Sequence, residues 1–187
     1  MRVEPNRLLL APNSCVMVYL DNPRHRAESE AERRETDVLL RCASVLSIPV
    51  IVVIEPDLTA ANGLTAPEHP ENSIALEQSP DPWQHAAFAE RMNTLRRDQL
   101  LLLGNPVDPS ITFAALGALR LAIDVFMVVH PNSEPLRREL ADLRLTRLRQ
   151  YGVVAIDVTQ AVVELAATSD QSVTAQSTEA IVKRFGL

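Results

Sequence analysis

Four residues stand directly after short apolar runs: Asp21, Glu55, Gly104 and His130. In a wound α/β chain that is where side chains meet a ligand. Carboxylates crowd these positions and the long connection that follows the second run, with Asp21, Glu55, Asp57, Glu68, Glu71, Glu77 and Asp81. Such a set repels an anionic ligand. Cations are scarce to match it, since Lys183 is the only lysine and no arginine lies between Arg41 and Arg91. The first turn reads Asp21-Asn22-Pro23-Arg24, and none of the five glycines builds a dinucleotide or Walker fingerprint, so no cofactor is expected. His69 and His85 have no regular ligand spacing to Asp21 or His130, which predicts no metal site; a lone histidine such as His130 at a strand end is more often structural than catalytic. Both thiols, Cys15 and Cys42, fall inside apolar segments and read as small buried hydrophobes in a reducing compartment.

Positioning these groups requires a sheet, and the pattern supplies one. Short apolar runs alternate with longer helical patterns, the signature of βαβ units covered on both faces. Strands are expected at Cys15 to Leu20, Pro49 to Ile54, Gln99 to Leu103, Ile123 to Val129 and Val153 to Ile156, with a short one near Ile74 to Leu76. Helices are expected at Glu28 to Leu46, Trp83 to Leu95, Pro109 to Ala122, Glu134 to Gln150 and Thr159 to Ala167, the last opened by Asp157 as a cap. On the first helix Val38, Leu39, Cys42, Ala43 and Leu46 share one face. The connection over residues 55 to 82 carries five of the thirteen prolines, and a long loop in a compact domain is usually functional. The expected architecture is a three-layer α/β/α domain, a doubly wound and mostly parallel sheet.

A chain of 187 residues fits one domain, read here as 1–187 with a core over about 8–167 and a C-terminal linker and docking helix over 168–187. A net charge of −6, with only Trp83 and two tyrosines able to stack on bases, argues against nucleic acid. The apolar run from Leu8 to Ala11 is cut by Pro12 and Asn13, too short for a signal-peptide core. No membrane span is visible, and a cytoplasmic protein is expected.

Three segments resemble the isochorismatase-like cysteine hydrolases, which include nicotinamidases and other amide hydrolases. The first is Leu10-Ala11-Pro12 leading into Val16 to Asp21, like the family's first strand ending in its catalytic aspartate, with Asn22 in place of the usual following residues. Trp83 through Phe88 to the run from Arg97 to Gly104 looks like the helix and strand ahead of the nucleophile turn. The segment Asn105-Pro106-Val107-Asp108-Pro109-Ser110 then falls on the nucleophile loop, followed by Ala114 to Leu116 and Asp124 to Val129. The resemblance spans about residues 8 to 167 and implies an isochorismatase-like, Rossmann-like hydrolase fold.

It also implies a site of aspartate, lysine and cysteine, and this chain departs from that at two of three places. Asp21 matches the aspartate, Ser110 falls on the cysteine, and Glu77 is the ionisable group nearest the lysine position. His130 lies where the family often carries an aspartate. Asn22, Glu77, Trp83, Asn105, Pro106, Val107 and His130 are expected around the pocket, with Trp83 as a core or wall residue. If Asp21 and Glu77 face each other, one carboxylate should hold its proton above the normal range. A cis bond, if the loop has one, is expected at Pro106, where proline makes it cheap.

Asp108 as N-cap with Pro109 at the first helical position is also what an ordinary helix start looks like. An alcohol is much harder to deprotonate than a thiol of pKa roughly 8.5, and removing a nucleophile in related chemistry costs on the order of 10⁶ in rate. The expectation is therefore a degenerate relative that binds a small molecule or acts as an interaction protein, assembled as a homo-oligomer. The alternative is a hydrolase of a small amide or vinyl ether that uses Asp21 as general acid and base with Ser110.

Overall fold

The computed structural model describes residues 9–22, 30–54, 73–76, 79–129, 135–169 and 183. Six strands form one parallel sheet: β1 (Cys15–Asp21), β2 (Val50–Ile54), β3 (Ser73–Ala75), β4 (Gln99–Leu103), β5 (Asp124–Val128) and β6 (Val154–Ile156). The sequence QLLLL of β4 is rich in good helix formers, yet it forms a strand. It has five residues before Gly104, too few for a stable helix, and all five are buried, which suits a strand covered on both faces.

Strand order is β3-β2-β1-β4-β5-β6. From β1 the chain builds outward through β2 and β3, then returns to the other side of β1 and builds through β4 to β6. The reversal falls between β1 and β4, which is where open α/β sheets part to admit a ligand. Their register pairs Tyr19 with Leu103, so β1 runs two residues further and ends at Asp21 beside Ile54 of β2.

Among the described residues five helices cover the sheet: α1 (Glu30–Val45), α2 (Ala86–Leu95), α3 (Pro109–Arg120), α4 (Pro135–Gln150) and α5 (Val158–Ala167). Alternation along the strands divides the core. Val16, Val18, Leu20, Leu100 and Leu102 pack with Phe88 and Met92 of α2, Ile111 and Ala115 of α3 and Leu145 and Leu148 of α4. Cys15, Met17, Leu101 and Leu103 pack on the other face with Val38, Leu39 and Cys42 of α1 and Ala161 and Leu165 of α5. The single-face pattern expected for α1 holds, since Val38, Leu39, Cys42, Ala43 and Leu46 are all buried. Asp157 caps α5 as expected, accepting from Gln160 N at 2.8 Å.

Two expectations change. The helix read as Trp83 to Leu95 is a short 3-10 turn, Pro82–Gln84, followed by α2, because His85 between them is extended (φ −91°, ψ 118°). Asp81 begins that turn and its side chain accepts from Trp83 N at 3.0 Å, so one carboxylate of the acidic set serves as a cap. The expected linker and docking helix, the start of the first helix before residue 30 and most of the loop at 55–72 lie outside the described residues.

At the amino end of the strands residues 9–11 are held by side chains. Gln99 donates to Leu9 O and accepts from Ala11 N, both at 2.8 Å. Glu164 accepts from Leu10 N at 3.1 Å, and Thr168 Oγ1 donates to Leu10 O at 2.6 Å.

Candidate functional site

At the carboxyl end of β1 and β4 the chain places Asp21 and Asn22 on one side and residues 104–110 on the other. Gly104 makes the close approach possible. Its φ is +143°, a region that side chains rarely adopt, and a Cβ there would lie 2.8 Å from Ile111 Cδ1 and 3.0 Å from Leu20 O. The loop therefore turns directly against the end of β1.

Asn105 builds the turn that follows: its Oδ1 accepts from Val107 N and its carbonyl from Asp108 N, each at 2.9 Å. Asn105–Pro106 is a trans bond, against the cis bond expected there. With the asparagine reversing the chain through its own side chain and carbonyl, the turn closes in the trans form.

Asp108 occupies the N-cap position of α3 in extended backbone, and Pro109 follows at the first helical position. To that extent the ordinary helix start is present. The side chain departs from it, since it makes no capping bond and Oδ1 instead accepts from Asn22 Nδ2 at 3.1 Å. Asp108 is 2% exposed, and Asp21 and Asn22 are each 9% exposed. Ser110 is wholly buried in the first turn of α3. Asp21, Asn22, Asn105, Pro106, Val107 and Ser110 thus fall at one end of the sheet. Glu77 and His130 lie outside the described residues.

Trp83 stands on the flank of α3. Its Nε1 donates to Ala114 O at 2.9 Å, its ring lies against Gly117, and it meets Phe88 edge to face with centroids 5.0 Å apart. Its observed partners are those of a packing strut for α3, the core role among the two expected of it.

Two site residues escaped the sequence reading. Asp108 was taken as a cap only. Arg144 of α4 was missed, and with it a cation: the guanidinium Nη1 donates to Val107 O, so positive charge does reach the loop. Arg144 is half-buried beside the stripe Ala141, Leu145 and Leu148 that faces the core, the only signal that set it apart from its exposed neighbours Arg147 and Arg149.

Neither thiol belongs to this end of the sheet. Cys15 begins β1, six residues before Asp21, which is roughly 20 Å along a strand. Cys42 lies inside α1. Burial pushes both thiols up to about 12 from an ordinary 9.0. At neutral pH they are protonated and poor nucleophiles. The arrangement offers carboxylates, an amide donor, a buried alcohol and a guanidinium at one remove. Among the described residues no three His, Cys, Asp or Glu side chains cluster as a metal site requires, and no helix is long and apolar enough to cross a membrane.

No protein-family model matches the sequence, and no curated protein sequence does. Solved structures do match. The YcaC gene product of Escherichia coli, described as an octameric hydrolase of unknown specificity, superposes with a TM-score of 0.77 at 19% identity over 96% of this chain and 93% of its own. MAR1 ribonuclease from Caenorhabditis elegans gives 0.68 at 13% identity over 94% and 92%. An isochorismatase from Pseudomonas putida gives 0.63 at 11% over 81% and 91%. At these identities the likeness establishes the fold: this chain has the isochorismatase-like hydrolase architecture.

Proposed function

We propose that this protein is a divergent isochorismatase-like relative that binds a small molecule between β1 and β4 and does not act as a cysteine hydrolase. One observation carries the reading. The chain has two thiols in all, and both are buried in the core, Cys15 at the far end of β1 from the β4–α3 turn and Cys42 inside α1. The first turn of α3 presents Ser110 instead, fully buried and therefore remote from a solvent-borne substrate in this form. An alcohol needs a stronger base than a thiol to become a nucleophile.

The ribonuclease among the structural neighbours does not favour RNA here, because a net charge of −6 and a single tryptophan offer little to a phosphate backbone. The octameric neighbour supports assembly into a homo-oligomer, which sedimentation of the purified chain tests. The chain acts as one domain in the cytoplasm.

A second reading has an observation behind it. Asp21 and the Asn22–Asp108 pair gather carboxylates where the sheet reverses, and Arg144 brings a cation to the same loop. That set suits proton transfer to a vinyl ether or small amide, with Asp21 as general acid and base and Ser110 beside it. The two readings separate in one assay. Full-length protein, Asp21→Asn and Ser110→Ala are incubated with small amides, nicotinamide and isochorismate. The first reading expects no turnover by any of them. Isochorismate turnover lost in Asp21→Asn supports the second, and strong amidase activity abolished by Ser110→Ala removes the first.

A further inference from the structure

Both polar groups of Val107 are held by side chains. Its N–H is taken by Asn105 from within the turn, and its carbonyl by Arg144 from α4, 37 residues further along the chain. The next residue, Asp108, has the extended backbone of an N-cap (φ −76°, ψ 133°), from which an aspartate ordinarily accepts an N–H of the helix it starts. Here that carboxylate is turned away from α3 and onto Asn22 at the end of β1. A helix start that forgoes its side-chain cap requires something else to fix the turn.

We infer that Arg144 is a positioning residue of the site: by drawing the Val107 carbonyl toward α4 it fixes the 104–108 turn in the form in which Asp108 meets Asn22 instead of capping α3. A guanidinium suits this task. Its planar donors fix direction as well as distance. Asn105 holds the N–H of Val107 through Oδ1 and that of Asp108 through its carbonyl, and Arg144 holds the carbonyl between them. Without Arg144 the peptide joining Val107 to Asp108 keeps its N–H anchor and loses the one on its carbonyl, so its plane can turn toward the form in which Asp108 caps α3. The inference holds whether the site only binds a ligand or turns one over.

The test is made on the full chain by nitrogen-edited NMR, following the side-chain amide of Asn22 and the exchange of the Val107 N–H. Arg144→Met keeps the aliphatic stem and removes the donor. It is expected to move the Asn22 amide signals and to speed Val107 exchange roughly tenfold, the loss of one charge-assisted bond. Arg144→Lys, which restores a charged donor, is expected to return the Asn22 signals toward their wild-type positions. Arg147→Met removes an exposed charge from the same helix and should leave both readouts unchanged. Unaltered Asn22 and Val107 signals in Arg144→Met overturn the inference, as does an equal change in Arg147→Met. If Arg144→Met does not fold, the wild type decides: slow rotation of the Arg144 guanidinium, with a scalar coupling across the hydrogen bond to the Val107 carbonyl, is expected, and a freely rotating guanidinium overturns the inference.

Discussion

Buried polar side chains lie at both ends of the sheet. At the amino end Gln99 and Glu164 are 3% and 9% exposed, and their partners include the main chain of residues 9–11. At the carboxyl end Asn22 and Asp108 are equally buried, yet the bond between them joins two side chains and satisfies no backbone group. A buried group bonded to main chain is explained by the need to satisfy that main chain. The Asn22–Asp108 bond links the end of β1 to the β4–α3 turn beside the reversal of strand order, where an open sheet admits a ligand.

Changes at each end sharpen or break this contrast. The largest effect is expected from Gly104→Ala, which forces a side chain into an unfavourable φ and against Leu20 and Ile111. A loss of about 2–4 kcal/mol in denaturant unfolding is expected, and wild-type stability would show that the loop need not press on β1. Next, Glu164→Ala should cost about 2 kcal/mol and Asn22→Ala about 1 kcal/mol, because the first releases both a main-chain and a side-chain donor. Equal losses would erase the distinction between clamp and site. Gly117→Ala places a Cβ about 2.1 Å from Trp83 Cδ1, and overpacking less the gain in helix propensity leaves a net cost of about 1–2 kcal/mol, readable as a lower Tm.

At neutral pH the thiols contribute least. In the folded chain Cys15 and Cys42 release their protons near 12, against 9.0 when unfolded. The unfolded state therefore binds fewer protons as pH rises from 9 toward 12, and stability falls in that window by about 1 kcal/mol per thiol between pH 9 and 10. Below about pH 8 their contribution no longer changes with pH. At pH 8 neither should react with a thiol reagent until the protein unfolds, and rapid labelling of the native protein would reopen cysteine chemistry.

Much of this was legible in the sequence. The β-branched run at Val50–Ile54, the leucines of β4 ended by Gly104 and the one-sided stripe of α1 fix the layers, since each is a periodicity imposed by burial. Asp21 and Asn22 lie at the end of β1 as expected, because strand ends are predictable positions. Asp108 was misjudged for a physical reason: an Asp-Pro pair at a helix start has the same backbone whether or not the carboxylate caps, and the partner that takes Oδ1 here, Asn22, lies 86 residues away. Arg144 was hidden in an arginine-rich helix, where local sequence cannot tell which guanidinium turns inward. The break at His85 was missed because residues 83–95 keep a helical composition through it.

Trp83 has one more consequence. It is the only indole in the chain, and it is hydrogen-bonded to and packed against the helix that begins at Ser110. Ultraviolet emission from the unmodified protein therefore reports on a single place, so a compound that shifts this helix should announce itself as a change in colour or brightness without any attached dye.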